Sequence, residues 1–336
     1  MKNRIVQLTK ALKVSLLTQK VPELKNGEAL VEVRSSGICG SDLHFFRHAG
    51  LGSHKRKLPI FLGHECAGKI IKEKCTTAEA GDRVAIEPNL PDKSDVWFER
   101  GRHNLAKSTF LGADDNLGCM ADYVIVNESQ LLKIPSNMSY EIGSLMEPLS
   151  VCLHAINLSK ANYKDSATVI GCGAIGLGLI FYLKKIGIKN VFGVDPVGAR
   201  RKAAMELGCA DAFPPNEEFD YPKSSIVFDA CGNNKSLNIS LKVADKGGNI
   251  VMVGIPETDF LRINPHLMRI KELNFINVRR SNLTMVEAIR LFTPKDIPLL
   301  QNILTHEFSL DECQKAFELS SGYGDNLIKA TFKPLV

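Results

Sequence analysis

The stretch DSATVIGCGAIGLGLIFYLKKIGIKNVFGVD, residues 165–195, decides how the chain is read. An apolar run ends at Gly171, a helical pattern follows, and a second apolar run ends at Asp195. Strand, glycine turn, helix and strand in this order form a parallel βαβ unit. Gly171, Gly173 and Gly176 spell G-x-G-x-x-G, with Ala174 and Ile175 at the variable positions. The first glycine lets the strand turn sharply. The second lets backbone approach a pyrophosphate, and the third lets the helix lie close to the sheet. The helix N-terminus then offers unpaired N–H groups and a positive dipole to phosphates. Asp195 stands 19 residues past Gly176, near the about 20 expected of a carboxylate that holds a ribose 2′-hydroxyl. Such a carboxylate favours NAD over NADP, although Arg200 and Arg201 follow closely and leave the preference open. A glycine-rich packing turn that binds nothing is the competing reading. The strand before it and the helix after it argue against that.

Outward from this unit the alternation continues. ARRKAAMELGCADAF (199–213) reads as helix into strand, and SSIVFDACG (224–232) and GGNIVMVG (247–254) read as short strands ended by glycine. Strands alternating with helices predict a doubly wound parallel sheet. The first 150 residues differ. EALVEVRSSG (28–37), CAGKIIKE (66–73), AGDRVAIEP (80–88) and GCMADYVIVNESQLLKIP (118–135) are β-rich segments divided by turns. They predict an antiparallel, partly barrel-like domain. LTMVEAIRLF (283–292) and LDECQKAFELS (310–320) have helical spacing and are expected to rejoin that first domain. The expected division of this α/β chain is 1–149, 150–278 and 279–336.

Composition narrows the classes. The 336 residues are 44% hydrophobic and 24% charged, as in a globular chain able to bury its own core. A net charge of +5, with no basic run longer than HKRK (54–57), does not call for nucleic acid. The first residues hold no continuous apolar stretch, so no signal peptide is expected. The longest apolar run, Val169–Leu183, has 15 residues and four glycines, short of the about 20 that span a bilayer. Nine scattered cysteines point to a reducing, cytoplasmic setting.

Two further segments bear on chemistry. GICGSDLHFF (37–46) carries Cys39, Ser41 and His44, and LGHECAG (62–68) carries His64 and Glu65. Cys39, His64 and Glu65 offer one sulfur, one nitrogen and one oxygen ligand. Zinc accepts all three, and a catalytic zinc keeps three protein ligands and one open position. Each residue alone also has a plain reading, the cysteine as a small buried hydrophobe and the His-Glu pair as surface or capping. The pattern by itself leaves both open.

GICGSDLH, GHECAG, GDRVAIEP, MEPLSVCLHA, GCGAIG and LTHEFSLDECQKAFEL occur in this order over nearly the whole chain. Together they resemble the zinc-dependent medium-chain dehydrogenases, in particular the sorbitol (L-iditol) dehydrogenase branch. The resemblance implies a GroES-like catalytic domain and a Rossmann domain, with the chain's end rejoining the catalytic part. It implies that Cys39 and His64 bind zinc. Glu65 and Glu147 (of MEPLSV) stand at the ion, directly or exchangeably, and which of them is the resting ligand stays open. Ser41 and His44 match a proton relay. Gly171, Gly173, Ala174, Ile175, Gly176, Asp195, Arg200 and Val253 are the expected cofactor contacts. The implied activity is oxidation of a secondary alcohol of a polyol, sugar or aminocyclitol-like substrate to a ketone, reversibly, with hydride passing to NAD. The family's dimers and tetramers imply a homo-oligomer, with a tetramer expected.

The chain also departs from the pattern. The family often holds a structural zinc with four cysteines after EP, and the corresponding positions here are Asp92, Asp95, Phe98 and Ala106. One zinc per chain is therefore expected. Two carboxylates on a ligand-poor loop seldom hold a hard cation. Near 277–283, Arg280 matches a substrate-side arginine and Ser281 replaces a tyrosine, which puts the substrate pocket in doubt. A dehydrogenase for a carboxylated or amino substrate, resembling those for L-idonate or L-threonine, is the alternative. A non-catalytic dinucleotide-binding protein is disfavoured by the retained Cys39, His64, Glu65 and Ser41.

Overall fold

The structure, a computed structural model, describes residues 1–113, 118–216, 218–322 and 324–334. The chain forms two compact units, Met1–Glu147 with Met285–Val336, and Pro148–Thr284. The first division falls inside the helix Tyr140–Ser159 at Pro148, a residue that cannot donate to the Ser144 carbonyl one turn back.

The first unit is built on a seven-stranded sheet. Its order is Leu131–Lys133, Arg83–Ile86, Glu65–Glu73, Glu28–Gly37, Lys329–Phe332 and Leu304–Phe308, with Tyr123–Asn127 also paired to Glu28–Gly37. All pairs are antiparallel except the last two strands, which run parallel. Ala29, Val31 and Val33 point into one core with Ile70, Val84, Ile86, Val124 and Val126, as alternation along a strand requires. A second core joins Phe46 of the helix Gly40–His48 to Phe317 of the helix Cys313–Gly322, ring centroids 5.3 Å apart, with Phe332 beside them. The last part of the chain thus supplies two strands and the helix Cys313–Gly322 to this β-rich, GroES-like unit.

Register positions the site. Gly37 pairs with Glu65 on one side and with Thr331 on the other. The end of one strand and the beginnings of its two neighbours therefore meet, and Cys39, His64, Glu65 and Lys329 converge there although they are far apart in sequence.

The second unit is a six-stranded, all-parallel Rossmann-like sheet. Its order is Asp211–Phe213, Val191–Val194, Ala167–Ile170, Ser224–Asp229, Ala244–Met252 and Asn274–Asn277. The chain winds outward one way from Ala167–Ile170 and then the other way from Ser224–Asp229. That reversal opens the crevice in which such sheets bind dinucleotides, and the glycine turn lies directly after the first of these strands.

The lobe at 89–110 shows what Asp92, Asp95, Phe98 and Ala106 do. Asp95 caps the short helix Val96–Glu99 by accepting from Trp97 N at 2.8 Å, and its other oxygen accepts from Lys107 N at 3.0 Å. Asp92 accepts from the amide and hydroxyl of Ser94. Phe98 stacks on His103 with centroids 4.2 Å apart, and Ala106 is buried. One carboxylate thus ties the two ends of the lobe together. The Lys107 and Trp97 amides hold the Asp95 carboxyl below its ordinary value of 3.8. A depressed carboxyl stabilises above its unfolded pKa, and that support is lost as pH falls through the folded value. Hydrogen exchange at Trp97 and Lys107 is expected to accelerate in Asp95→Ala at neutral pH. In the parent chain the same amides should lose protection only below the ordinary carboxylate range.

Candidate active site

The first turn of the helix Gly40–His48 sets the thiol. Cys39 is its N-cap, in extended backbone, and Asp42 at the third helical position accepts from Cys39 N at 2.9 Å. This is half of a capping box, and it fixes the backbone that carries Sγ. Across the sheet, Gly63 has φ +96, and a Cβ there would come within 2.7 Å of Met120 N and 2.5 Å of Met120 Cγ, so only glycine fits. That close turn places His64 and Glu65 at the start of their strand. Asp42 is fully buried, and its Oδ1 lies 3.8 Å from His64 Nδ1, behind the imidazole. The His64 ring also packs on Phe110, centroids 5.4 Å apart.

Cys39 Sγ, a His64 ring nitrogen and a Glu65 oxygen all lie within 4.8 Å of one another. They form the group of metal-capable side chains found among the described residues. The set fits zinc, with one soft and two harder donors converging from two segments, His64 and Glu65 buried and Cys39 half-buried, with a carboxylate behind the imidazole. Asp42 Oδ1 is buried without a hydrogen-bond partner, while Glu65 Oε2 faces the Lys329 ammonium. Burial, with Glu65 adding to it, pushes the Cys39 thiol up to about 12, while Lys329 and a hydrogen bond from Ser41 oppose the shift. Without an ion the sulfur is therefore a thiol.

Glu147 is buried in the helix Tyr140–Ser159 and lies outside the 4.8 Å group. It is close enough for charge to matter. Burial holds its carboxyl well above the usual range, Glu65, Cys39 and Glu87 add to this, and His64 opposes it. Ser41 and His44 sit three residues apart on the helix Gly40–His48, hence on one face, and His44 is buried.

Two residues of this site escape a reading by motif. Asp42 is signalled only by its capping position after Cys39. Lys329 arrives from the far end of the chain. Its ammonium donates to the Ile38 carbonyl at 2.9 Å and ion-pairs with Glu65 Oε2, both side chains being buried. Burial lowers its pKa, but Glu65, Cys39 and Glu147 together outweigh burial, and the ammonium ends above its ordinary value of 10.5.

In the second unit Gly171 has φ +90, a conformation glycine adopts without strain. Gly173 is the N-cap of the helix Ala174–Lys185, and a Cβ there would meet only Arg200 Nη1, at 3.9 Å, so space is open above the helix N-terminus. Ala174 and Ile175 begin that helix, and Gly176 lies against the Gly171 carbonyl. Asp195 is buried, and its carboxylate accepts from Cys172 N and Val197 N, both at 2.8 Å. It thereby pins the glycine turn to the end of the next strand. Arg201 donates to the Asp195 and Pro196 carbonyls, and Arg200 is buried. Val253 N donates to the Asp229 carbonyl. The cradle fits a dinucleotide pyrophosphate. Arg280 is half-buried at φ +56, next to buried Ser281.

A thiol-imidazole-carboxylate cluster in a GroES-like unit, together with a dinucleotide cradle in a parallel sheet, defines a zinc-dependent dehydrogenase. Residues 25–136 match the alcohol dehydrogenase GroES-like domain family and residues 174–293 the zinc-binding dehydrogenase family. The sorbitol dehydrogenase of Gallus gallus is 31% identical, the alignment covering 94% of this chain and 92% of the relative. That of Bacillus subtilis is 27% identical over 99% and 97%, and the D-xylulose reductase of Saccharomyces cerevisiae 28% over 94% of both. Among solved structures, an Escherichia coli oxidoreductase/dehydrogenase of unknown specificity superposes with TM-score 0.91 at 26% identity, covering both chains fully. The chain belongs to the zinc-dependent medium-chain dehydrogenase/reductase family, on its sorbitol dehydrogenase-like side.

Proposed function

We propose that this chain oxidises a secondary alcohol of a polyol or closely related polar substrate to a ketone, with NAD as the hydride acceptor. The observation that carries the reading is the convergence of Cys39, His64 and Glu65 within 4.8 Å. The sorbitol dehydrogenase and D-xylulose reductase relatives supply the substrate class. Zinc, when bound, supplies a Lewis acid that polarises the substrate oxygen. Cys39, His64 and Glu65 would hold it, with Glu147 as an exchangeable carboxylate.

The chain's own residues then have separate tasks. Ser41 Oγ accepts the alcohol proton as its own hydroxyl proton passes on toward His44, one turn further along the same helix, whose ordinary pKa lies near neutrality. Asp42 orients the His64 ring. Gly171, Gly173 and Gly176 receive the pyrophosphate with Ala174 and Ile175. Asp195 favours a ribose 2′-hydroxyl, hence NAD over NADP. Arg200 and Val253 complete the cofactor side, and Arg280 contacts substrate. We assign one zinc per chain, because Asp92 and Asp95 are engaged in the lobe's own hydrogen bonds.

All nine cysteines are free, which supports a reducing, cytoplasmic setting. Among the described residues no helix is long and apolar enough to cross a membrane. A homotetramer is the expected assembly, and light scattering decides it.

A panel of polyols assayed with NAD and with NADP, beside metal quantification, tests the reading. Turnover of sorbitol or L-iditol with NAD, lost to chelator and restored by zinc, is the expected result. Turnover of L-idonate or L-threonine in their place would shift the substrate class. Because burial pushes the Cys39 thiol up, to about 12, zinc uptake at pH 7 must displace its proton. Zinc affinity should therefore rise with pH, by about tenfold per unit for each proton released. Chelator competition at two pH values reads this.

A further inference from the structure

Lys329 stands at the metal-capable cluster and no step above uses it. It is 4% exposed, and its charge partner Glu65 is 1% exposed. Lysine is almost never buried this deeply unless paired. The ammonium touches both ligand-bearing segments. It donates to the carbonyl of Ile38, which precedes Cys39, and it ion-pairs with Glu65 Oε2. The geometry around it is crowded by design of the backbone. A Cβ at Gly37 would meet Glu65 Oε2 and, at 2.9 Å, Lys329 Cε.

We propose that Lys329 is a positioning residue that shares the Glu65 carboxylate with the metal ion, and so sets how strongly Glu65 binds that ion. This rests on the zinc reading above. With the ammonium present, Glu65 is held partly away from the ion, which keeps a coordination position available to substrate. The ammonium also repels the dication. Both effects weaken zinc binding and preserve Lewis acidity, and both vanish with the charge.

The experiment is zinc affinity by chelator competition, measured on purified parent chain, Lys329→Met, Lys329→Arg and Glu65→Gln with and without Lys329→Met. Lys329→Met removes a positive charge several ångströms from the ion, so zinc should bind at least about tenfold more tightly. kcat should fall about tenfold or more, as Glu65 closes on the ion. Lys329→Arg should restore both values to within about threefold, since it keeps the charge. In Glu65→Gln the Lys329→Met effect on affinity should shrink, because the shared carboxylate is gone.

A merely structural lysine gives the opposite sign. Its loss loosens the site and weakens zinc binding, and that result, or unchanged affinity, overturns the proposal. If Lys329→Met does not fold, Lys329→Gln carries the same comparison. If both fail, Lys329→Arg decides alone: parent-like affinity supports the proposal, and affinity weakened beyond threefold overturns it. A parent chain that binds no zinc at Cys39 overturns the metal reading itself, and is told apart by being independent of residue 329.

Discussion

Cys39→Ser is expected to lower kcat/KM for a polyol by at least about 10³-fold, with several kcal/mol of Lewis-acid stabilisation lost at about 1.4 kcal/mol per tenfold. A serine hydroxyl keeps the size of the side chain but does not ionise within reach of neutral pH. It therefore cannot replace a thiolate as a zinc ligand. Only His64 and Glu65 would remain of the close group, and two such ligands leave the ion weakly held. Zinc content should fall well below one per chain. The fold should survive, because what Cys39 gives the helix is its backbone N–H to Asp42, and serine keeps that bond. Circular dichroism and metal-free thermal unfolding close to the parent's would separate lost chemistry from lost structure. A Cys39→Ser protein within tenfold of parent activity would show that the sulfur holds no catalytic ion.

Gly176→Ala carries the second large effect. An added methyl would run into the Gly171 carbonyl oxygen, with the Gly171 carbonyl carbon at 2.8 Å and Val169 Cγ1 at 3.3 Å. Two of these are backbone atoms, so no rotamer change relieves the contact. The helix Ala174–Lys185 must move off the strand Ala167–Ile170, and the N–H groups offered to the pyrophosphate move with it. Overpacking of this kind destabilises by about 1–3 kcal/mol. NAD affinity should fall about a hundredfold or more, as roughly 3 kcal/mol of misplaced phosphate contacts implies. Gly40→Ala is the control. Its Cβ meets nothing within 4 Å, and alanine in a helix is worth up to about 1 kcal/mol over glycine. Calorimetry and NAD titration on both variants should move in opposite directions for stability and together only if the packing argument is wrong.

The βαβ unit was legible because its signals are local. The glycine spacing, the helical run and Asp195 all lie within 31 residues, and each maps onto an observed element. The strands 28–37 and 66–73 were legible for the same reason and appear as Glu28–Gly37 and Glu65–Glu73. The metal-capable group was legible only as residue types. What brings Cys39 to Glu65 is the pairing of Gly37 with Glu65, and register is a property of the assembled sheet. Lys329 lies 291 residues from the carbonyl it holds. Its one sequence signal is a charge inside the apolar run LIKATF, which has meaning only once that strand is known to be buried. The lobe at 89–110 shows in its sequence that no tetrathiolate can form, since Asp92, Asp95, Phe98 and Ala106 stand at the four positions. Its actual tie, Asp95 between Trp97 and Lys107, depends on a loop closure that no short-range pattern announces.

Zinc K-edge absorption on the purified, zinc-loaded chain tests the central claim most directly. The account predicts a single zinc with one sulfur neighbour at about 2.3 Å and the remaining neighbours nitrogen or oxygen at about 2.0–2.2 Å, the sulfur vanishing in Cys39→Ser. A shell without sulfur, a shell of several sulfurs, or a spectrum unchanged by that substitution would contradict it.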